Sequence, residues 1–404
     1  MMNETLGVTR KRDARSRVIS AMRVSVLRAP VAPRAASSAR SATSPSARRA
    51  ALVAPRASAD PIMIVSDLDG TMVGDDAATA AFTAAWTESG AFPKGSALVY
   101  STGRSLESFA ALIAEKKNVM AVPDALICAV GTKVYKRVDD SNAAKDNTES
   151  LVAATLKKLL FKDAEEKEKE KADAAIEREL RLWIEDIDWT ARLDADWDAD
   201  VIRAAAASAI KLAGDENAHL RPEEEFTEHK ITLGVRDEHV ESVMFEIERF
   251  CEAFSEDTSE TPHGSEMSVG GSNAIGETVA NETKRPLKKK RVIPKLVASG
   301  TGGWQYLDVV SRRAGKLESL EYVRNAFNVP TSRTVACGDS GNDILMLGGK
   351  NKAVVVGNAQ PALLRWAEET ALTETDQNRL FLASEKEALG VLEGLRKFGL
   401  MAEK

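Results

Sequence analysis

Residues 62–73, Ile-Met-Ile-Val-Ser-Asp-Leu-Asp-Gly-Thr-Met-Val, constrain the fold more than any other stretch, because an apolar run passes directly into Asp67, Asp69 and Gly70. An uninterrupted apolar run is the pattern of a strand covered on both faces in a parallel sheet. Residues 66–71 would then lie at a C-terminal strand edge, where open α/β sheets keep their ligands. Two carboxylates held together there repel each other, and a bound cation or a shared proton relieves the repulsion. The pair reads as a metal-assisted acid/base site. The competing reading is a polar turn or a capped helix start, since Asp-Gly is common in turns.

Other segments repeat the pattern. Residues 96–104 (SALVYSTGR) form a second buried strand ending in Ser101 and Thr102, and residues 124–132 (DALICAVGT) a third ending in Gly131 and Thr132. Between them SLESFAALIAEKK carries apolar residues at helical spacing behind a serine cap. Residues 333–347 read as a strand, a loop with Asp339, Asn342 and Asp343, and a helix, and residues 352–359 as a further strand. Strands alternating with helices imply a parallel sheet, hence an α/β, doubly wound core.

The middle of the chain differs. KDAEEKEKEKADAAIERELRLWIEDIDW is charged at nearly every exposed helical position and reads as a solvated helix or insertion. EHKITLGVRDEHVESVMFEIERFCEAF gives a strand and an amphipathic helix with Val240, Val243, Met244, Ile247, Phe250 and Cys251 inward. Residues 255–291 have the composition of a disordered loop, and their basic end, Lys284 to Arg291, reads as a solvated linker rather than a nucleic-acid patch.

Charge separates off the N-terminus. Residues 1–59 carry twelve Lys or Arg against Glu4 and Asp13, a net +10, which leaves -16 on the remainder of a chain of net charge -6. Arg, Ser and Ala with almost no acid is the composition of an organellar transit peptide. Frequent Pro and Ser with a poor amphipathic pattern favour a plastid; a cytoplasmic protein with a disordered basic tail is the alternative. The 404 residues suffice for about two domains. No window approaches the ~18 uninterrupted apolar residues of a membrane span, so neither a membrane nor a nucleic acid is an expected partner. Cys128, Cys251 and Cys337 lack any CxxC spacing and read as reduced, mostly buried thiols, and the four histidines lack zinc-ligand spacing.

The set of motifs discriminates where each one alone does not. Asp-x-Asp-Gly-Thr, Ser-Thr-Gly-Arg, Ala-Gly-Lys at 314–316 and Gly-Asp-x-x-Asn-Asp occur in that order, at one edge of the expected sheet. Together they offer a nucleophilic carboxylate, a hydroxyl donor for phosphate oxygens, a fixed cation and a second metal-binding carboxylate, the parts needed for phosphoryl transfer.

These motifs resemble those of the haloacid dehalogenase superfamily of phosphatases. IMIVSDLDGTMV, LVYSTGRS, AVGTKVY, VACGDSGND and VGNAQPALLRWAEE resemble in particular the sucrose-6-phosphate phosphatase family, from about Asp60 to the C-terminus. LDADWDADVIRAAAASAI and EHKITLGV are similar to that family's cap. The resemblance implies a haloacid dehalogenase-like core at 60–137 and 309–404 with an inserted α/β cap at 138–308. It implies Mg²⁺-dependent hydrolysis of sucrose 6-phosphate through an aspartyl-phosphate, and possible docking to sucrose-phosphate synthase.

In that scheme Asp67 attacks phosphorus, while Asp69 protonates the leaving oxygen and then activates water. Lys316 neutralises the phosphoryl charge. Asp339 holds Mg²⁺ with Asp67 and the backbone carbonyl of Asp69, and Asp343 completes the metal set. Gly70, Thr71, Thr102, Gly103, Arg104 and Asn342 meet the substrate, with Gly70 allowing the backbone close to the phosphate. The chain departs from the family on the sugar side. MVGDD follows Thr71 where the plant enzymes tend to carry histidines, Trp304 and Gln305 are inserted, no glycine follows Lys316, and the acidic RPEEEFTEHK replaces a more basic stretch. Another sugar-phosphate phosphatase shares every core motif; a phosphomutase needs its phosphoenzyme shielded from water; a non-catalytic sugar sensor has no need of the carboxylates.

Overall fold

The structure, a computed structural model, describes residues 60–138, 164–256, 291–300, 302–373 and 378–401. The expected transit segment 1–59 lies outside the described residues, as does nearly all of the loop expected at 255–291.

In chain order the strands are β1 (Met63–Ser66), β2 (Ala97–Ser101), β3 (Ala125–Cys128), β4 (Lys133–Arg137), β5 (Trp183–Glu185), β6 (Ala218–Leu220), β7 (Lys230–Arg236), β8 (Pro294–Ser299), β9 (Trp304–Ser311), β10 (Thr334–Gly338), β11 (Lys352–Val355) and β12 (Leu380–Leu382). Eight of them form one sheet in the order β12-β11-β10-β1-β2-β3-β4-β5, parallel from β12 to β3 and antiparallel at β4 and β5.

The helices are α1 (Asp76–Thr87), α2 (Leu106–Glu115), α3 (Ala164–Leu180), α4 (Ile187–Leu193), α5 (Ala199–Ala213), α6 (Val240–Glu256), α7 (Lys316–Ala326), α8 (Ile344–Leu347), α9 (Pro361–Thr373) and α10 (Glu387–Lys397). The apolar run that opens the chain's readable part is covered on both faces, as its composition requires. Ile62 and Ile64 pack with Phe82 of α1, Phe109 of α2 and Leu392 of α10, whereas Met63 and Val65 pack with Leu320 and Val323 of α7 and Leu363 of α9. The alternation is the two-residue period of a strand, and the fold is the doubly wound α/β core the motifs imply. The Ser105 cap of α2 is present, its side chain accepting from Ser108 N.

β6, β7, β9 and β8 make a second, antiparallel sheet. α5 and α6 cover one face of it, burying Ile202, Ala205 and Ala209 with Val243, Ile247 and Cys251 against Ile231, Leu233 and Leu307. The expected inner face of α6 is therefore the observed one, with Met244 and Phe250 partly buried at its margin.

The boundaries read from sequence shift. Residues 183–193 fall within the segment 138–308 expected to be cap, yet β5 pairs with β4 in the core sheet, and Trp189 and Leu193 of α4 pack into the core. The other boundary, expected at 308/309, cuts β9, which stays in the cap sheet to Ser311. Apolar burial draws the first segment to the core, and the β7–β9 ladder holds the second to the cap. The chain leaves for the cap after Leu193 and returns at Ser311, and there Ser311 Oγ donates to Leu193 O at 3.0 Å and Ser311 N to His229 O at 3.2 Å. All three cysteines are buried and unpaired. Among the described residues no helix is long and apolar enough to cross a membrane.

Candidate active site

β1 is central, between β10 and β2. Asp67 therefore leaves the sheet beside Asp339, which follows β10, and Thr102, which follows β2. Asp67 N donates to Cys337 O at 2.9 Å and Thr102 N to Ile127 O at 2.8 Å, so both positions are fixed by the continuing ladder. Lys316 opens α7 behind them, buried to 3% exposure. Its Nζ donates to Asp67 Oδ1 at 2.5 Å, Asp343 Oδ1 at 2.7 Å and Asn342 Oδ1 at 3.1 Å.

Asp343 is fully buried, and its second oxygen accepts from the backbone N–H groups of Asp339 (3.2 Å) and Ser340 (3.1 Å). Oxygens of Asp67, Asp339 and Asp343 all lie within 4.8 Å of one another. Three buried carboxylates against one ammonium leave an excess of negative charge, and the titration behaviour reflects it. Burial above all pushes Asp67 well above the usual carboxylate range, with Lys316 opposing and Asp343 and Asp339 adding to it. Burial, then Asp343, pushes Asp339 up to about 6, against a hydrogen bond from Thr71. Burial works to discharge Lys316, but the Asp343 and Asp67 carboxylates outweigh it and raise its affinity for the proton. An all-oxygen, net negative, water-poor donor set suits a hard divalent cation such as Mg²⁺.

Gly70 sits at φ +82, and a Cβ there would lie 2.7 Å from Asp339 Oδ2. Asn358 Nδ2 donates to Gly70 O at 2.7 Å, and Thr71 Oγ1 to Asp339 Oδ1 at 3.0 Å. The Asp-Gly turn reading is thus half right: the chain does turn at Gly70, and it turns so that the acids can meet. A second tight approach lies at Gly131, at φ +84, where a Cβ would collide with the backbone of Gly315, the residue before Lys316. Ala129 and Val130 also take positive φ there, unusual for residues with side chains.

Asp69 stands apart from the acidic cluster. Its side chain is 55% exposed and is gripped by Arg104, whose Nε and Nη2 reach its two oxygens at 2.8 and 2.6 Å. Two residues beyond the buried Asp67, it is the more open carboxylate of the pair on the cavity lining. Arg104, expected to meet substrate, lines that cavity but commits two donors to Asp69 and one to Ser108.

The cavity has a volume of about 970 Å³. Asp67, Asp69, Thr102, Gly103, Asp339 and Asn342 form its floor, and the cap supplies Glu224, Glu225, Phe226, Lys230 and Tyr306 opposite. The sequence singled out none of the cap residues individually, although the acidic RPEEEF stretch and the inserted Trp304–Gln305 pair marked their neighbourhoods. Gln360 and Arg365, also in the lining, fall in the VGNAQPALLRWAEE stretch that carries part of the family resemblance, but neither was singled out as a site residue.

The family described as Sucrose-6F-phosphate phosphohydrolase matches residues 60–164 and 256–399, leaving most of the cap between them unmatched. "Probable sucrose-phosphatase 3a" of Arabidopsis thaliana is 25% identical over 84% of this chain, and the alignment covers 60% of that protein. The chain thus spans about 60% of the length of such curated relatives. A mannosylfructose-phosphate phosphatase of Agrobacterium fabrum is 37% identical over 95 residues, 23% of this chain and 36% of that protein. The fold matches the sucrose-phosphatase from Synechocystis sp. PCC6803, solved with sucrose and phosphate, at a TM-score of 0.55 and 20% identity, over 85% of this chain and 99% of that one.

Proposed function

We propose that this chain, which belongs to the Sucrose-6F-phosphate phosphohydrolase family, hydrolyses a phosphate monoester of a sugar, with sucrose 6-phosphate the leading substrate. One observation carries the reading. A buried ammonium, Lys316, is hydrogen-bonded to the carboxylate of Asp67 on the floor of a cavity that the cap roofs. That arrangement supplies a nucleophile and a fixed positive charge where a phosphoryl group would enter.

In this mechanism a carboxylate oxygen of Asp67 attacks phosphorus as the bond to the sugar oxygen breaks. Asp69, on the cavity side, exchanges its Arg104 contact for a proton as substrate enters and gives that proton to the departing oxygen. It then takes a proton from the water that attacks the phosphoenzyme, and the bond from phosphorus to Asp67 breaks to release phosphate. Lys316, held by Asp343 and Asn342, stays beside the phosphoryl oxygens throughout. Asp67, Asp339 and the backbone carbonyl of Asp69 would hold Mg²⁺, with Asp343 behind them. The metal, when bound, offsets the negative charge that substrate brings to an already acidic floor.

A second reading, another hexosyl-fructose phosphate, draws support from the mannosylfructose-phosphate phosphatase likeness and from the unmatched cap. The test is a phosphate-release screen of the full chain with Mg²⁺ against sucrose 6-phosphate, mannosylfructose phosphate, trehalose 6-phosphate and glucose 6-phosphate. Sucrose 6-phosphate should give the highest kcat/KM, and predominant turnover of any other member would displace it. Plastid delivery is proposed from the composition of residues 1–59 alone; a fluorescent fusion of that segment that stays diffuse in the cytosol would refute it.

A further inference from the structure

We propose that Lys295 of the cap is a positioning residue for Lys316: it holds the turn that presents the catalytic ammonium, so that phosphoryl transfer depends on how the cap is seated and not on the core floor alone. The inference rests on the phosphatase reading above and adds to it a residue that stands outside the cavity lining.

Lys295 lies on β8, opposite Val310 of β9 in the cap sheet. Its side chain leaves that sheet for the core and is only 17% exposed. The Nζ donates to Ala314 O at 2.5 Å and meets Glu318 Oε1 at 2.5 Å. Ala314 is buried among core residues, and Glu318 is in the first turn of α7. One ammonium of the cap therefore spans residues 314–318, with Lys316 between its two contacts.

The start of α7 has no side-chain cap of its own. Gly315 takes the N-cap position and offers nothing to the first-turn N–H groups, the role that Ser105 fills for α2. Glu318 stands where a capping box would have it reach back to the N-cap, yet its one partner among the described residues is Lys295, and its Oε2 is buried without a hydrogen bond. A Cβ at Gly315 would lie 2.5 Å from that Oε2 and 2.9 Å from Lys295 Nζ. The ion pair is thus packed against the residue that precedes Lys316. The backbone of the same glycine also closes on Gly131, so Gly315 is held between a turn of the core and an ion pair that the cap completes. Without Lys295 a carbonyl loses its donor and a carboxylate its counter-charge, and the turn is free to shift. A catalytic group displaced by about 1 Å can lose roughly 10²-fold in rate.

The test is a double-mutant cycle on the full chain with Mg²⁺, with p-nitrophenyl phosphate and sucrose 6-phosphate as substrates. Lys295→Met and Glu318→Gln are each made in wild type and in Lys316→Ala, Lys295→Arg is made in wild type, and rates are taken well below each variant's melting temperature. In the wild-type background Lys295→Met should cut kcat about tenfold on both substrates, the scale of losing one charged hydrogen bond, and leave KM nearly unchanged. Glu318→Gln, which keeps an acceptor for the ammonium and carries the same test should the first variant not fold, should cost about threefold. Lys295→Arg should keep most of the activity. Behind Lys316→Ala, Lys295→Met and Glu318→Gln should each cost less than about twofold, because the residue they position is gone. Equal losses in both backgrounds would make Lys295 a structural prop and overturn the inference, as would a loss confined to KM or an unchanged kcat in Lys295→Met. A wild type that releases phosphate from neither substrate would bring down the phosphatase reading, and this inference with it.

Discussion

Lys316 Nζ and Asp67 Oδ1 lie 2.5 Å apart in a pocket that admits almost no solvent. The lysine is anchored independently of the aspartate, because Asp343 holds it at 2.7 Å and is itself held by two backbone N–H groups. The ammonium would thus stay in position in the proposed step that turns the Asp67 carboxylate into a phosphoryl ester.

Replacement of Lys316 by Ala should cut kcat by roughly 10², the scale of losing one preorganised transition-state donor. It should also lower stability by about 3–5 kcal/mol in chelator, because two buried carboxylates lose their counter-charge. Arg312→Ala, on an exposed neighbour, should change neither. Steady-state kinetics and thermal melts on the same preparations check this, and a damaging Arg312→Ala with a benign Lys316→Ala would move the cation elsewhere.

For Asp67→Asn the two readouts should diverge. A carboxamide forms no acyl phosphate, so turnover should vanish. Stability in chelator should hold or rise, since burial and the neighbouring acids already disfavour the charged carboxylate at that position. Activity within about tenfold of wild type, a change of 1.4 kcal/mol, would show that Asp67 is not the nucleophile.

In chelated protein the contribution of the acidic site to stability should fall as pH rises. The folded affinities of Asp67 and Asp339 for protons exceed those of the unfolded chain, so the native state binds more protons between the ordinary carboxylate pKa of about 4 and the raised value of about 6 at Asp339. These two groups therefore contribute stability that is lost across that window, against the opposite contribution of Glu246, Asp186 and Glu228, whose folded affinities for protons are lowered. Saturating Mg²⁺ should flatten the slope, and Asp339→Asn should reduce it without metal. Melting temperatures of wild type and Asp339→Asn from pH 4 to 8, with EDTA and with Mg²⁺, provide the measurement, and a difference between the two chelated proteins that does not change with pH would contradict it. Activity should vanish in EDTA and return with Mg²⁺.

Gly131→Ala should destabilise the protein although no catalytic side chain changes. A residue with a Cβ at φ +84 costs about 1–2 kcal/mol, and the added methyl would press on the backbone of Gly315. Because Gly315 precedes Lys316, kcat should fall with stability, whereas Gly302→Ala, with open space around it, should lose only the conformational part. Comparable melts for the two variants would deny the contact its role.

The sequence disclosed the parts of the fold whose reason is local. β1, β2, β3, β10 and β11 are apolar runs buried on both faces, and such runs cannot be mistaken for exposed segments. β4 (Lys-Val-Tyr-Lys-Arg) shows neither an apolar run nor a clean alternation and pairs antiparallel, and β5 and β12 are three residues each; segments so short carry no period to read. β5 joined the core because Trp183 and Trp189 need burial, a demand met only in three dimensions. The site divides in the same way. Asp67, Asp339, Asp343 and Lys316 announce themselves at strand and helix ends. The Arg104 clamp on Asp69, by contrast, joins residues thirty-five positions apart, and the place of Tyr306 in the cavity lining depends on where the whole cap sheet lies.

The hydrogen bond from Ser311 to Leu193 O ties the outgoing and returning chain at the root of the cap. An insertion whose two ends meet is a cassette: what lies between them can be exchanged, lengthened or grafted from another protein by joining two adjacent ends, with the carboxylates of the catalytic floor undisturbed. Substrate choice in such a molecule can drift by replacement of one contiguous block of sequence while its chemistry stays fixed, and transplanting residues 194–310 between homologues would carry the sugar preference along.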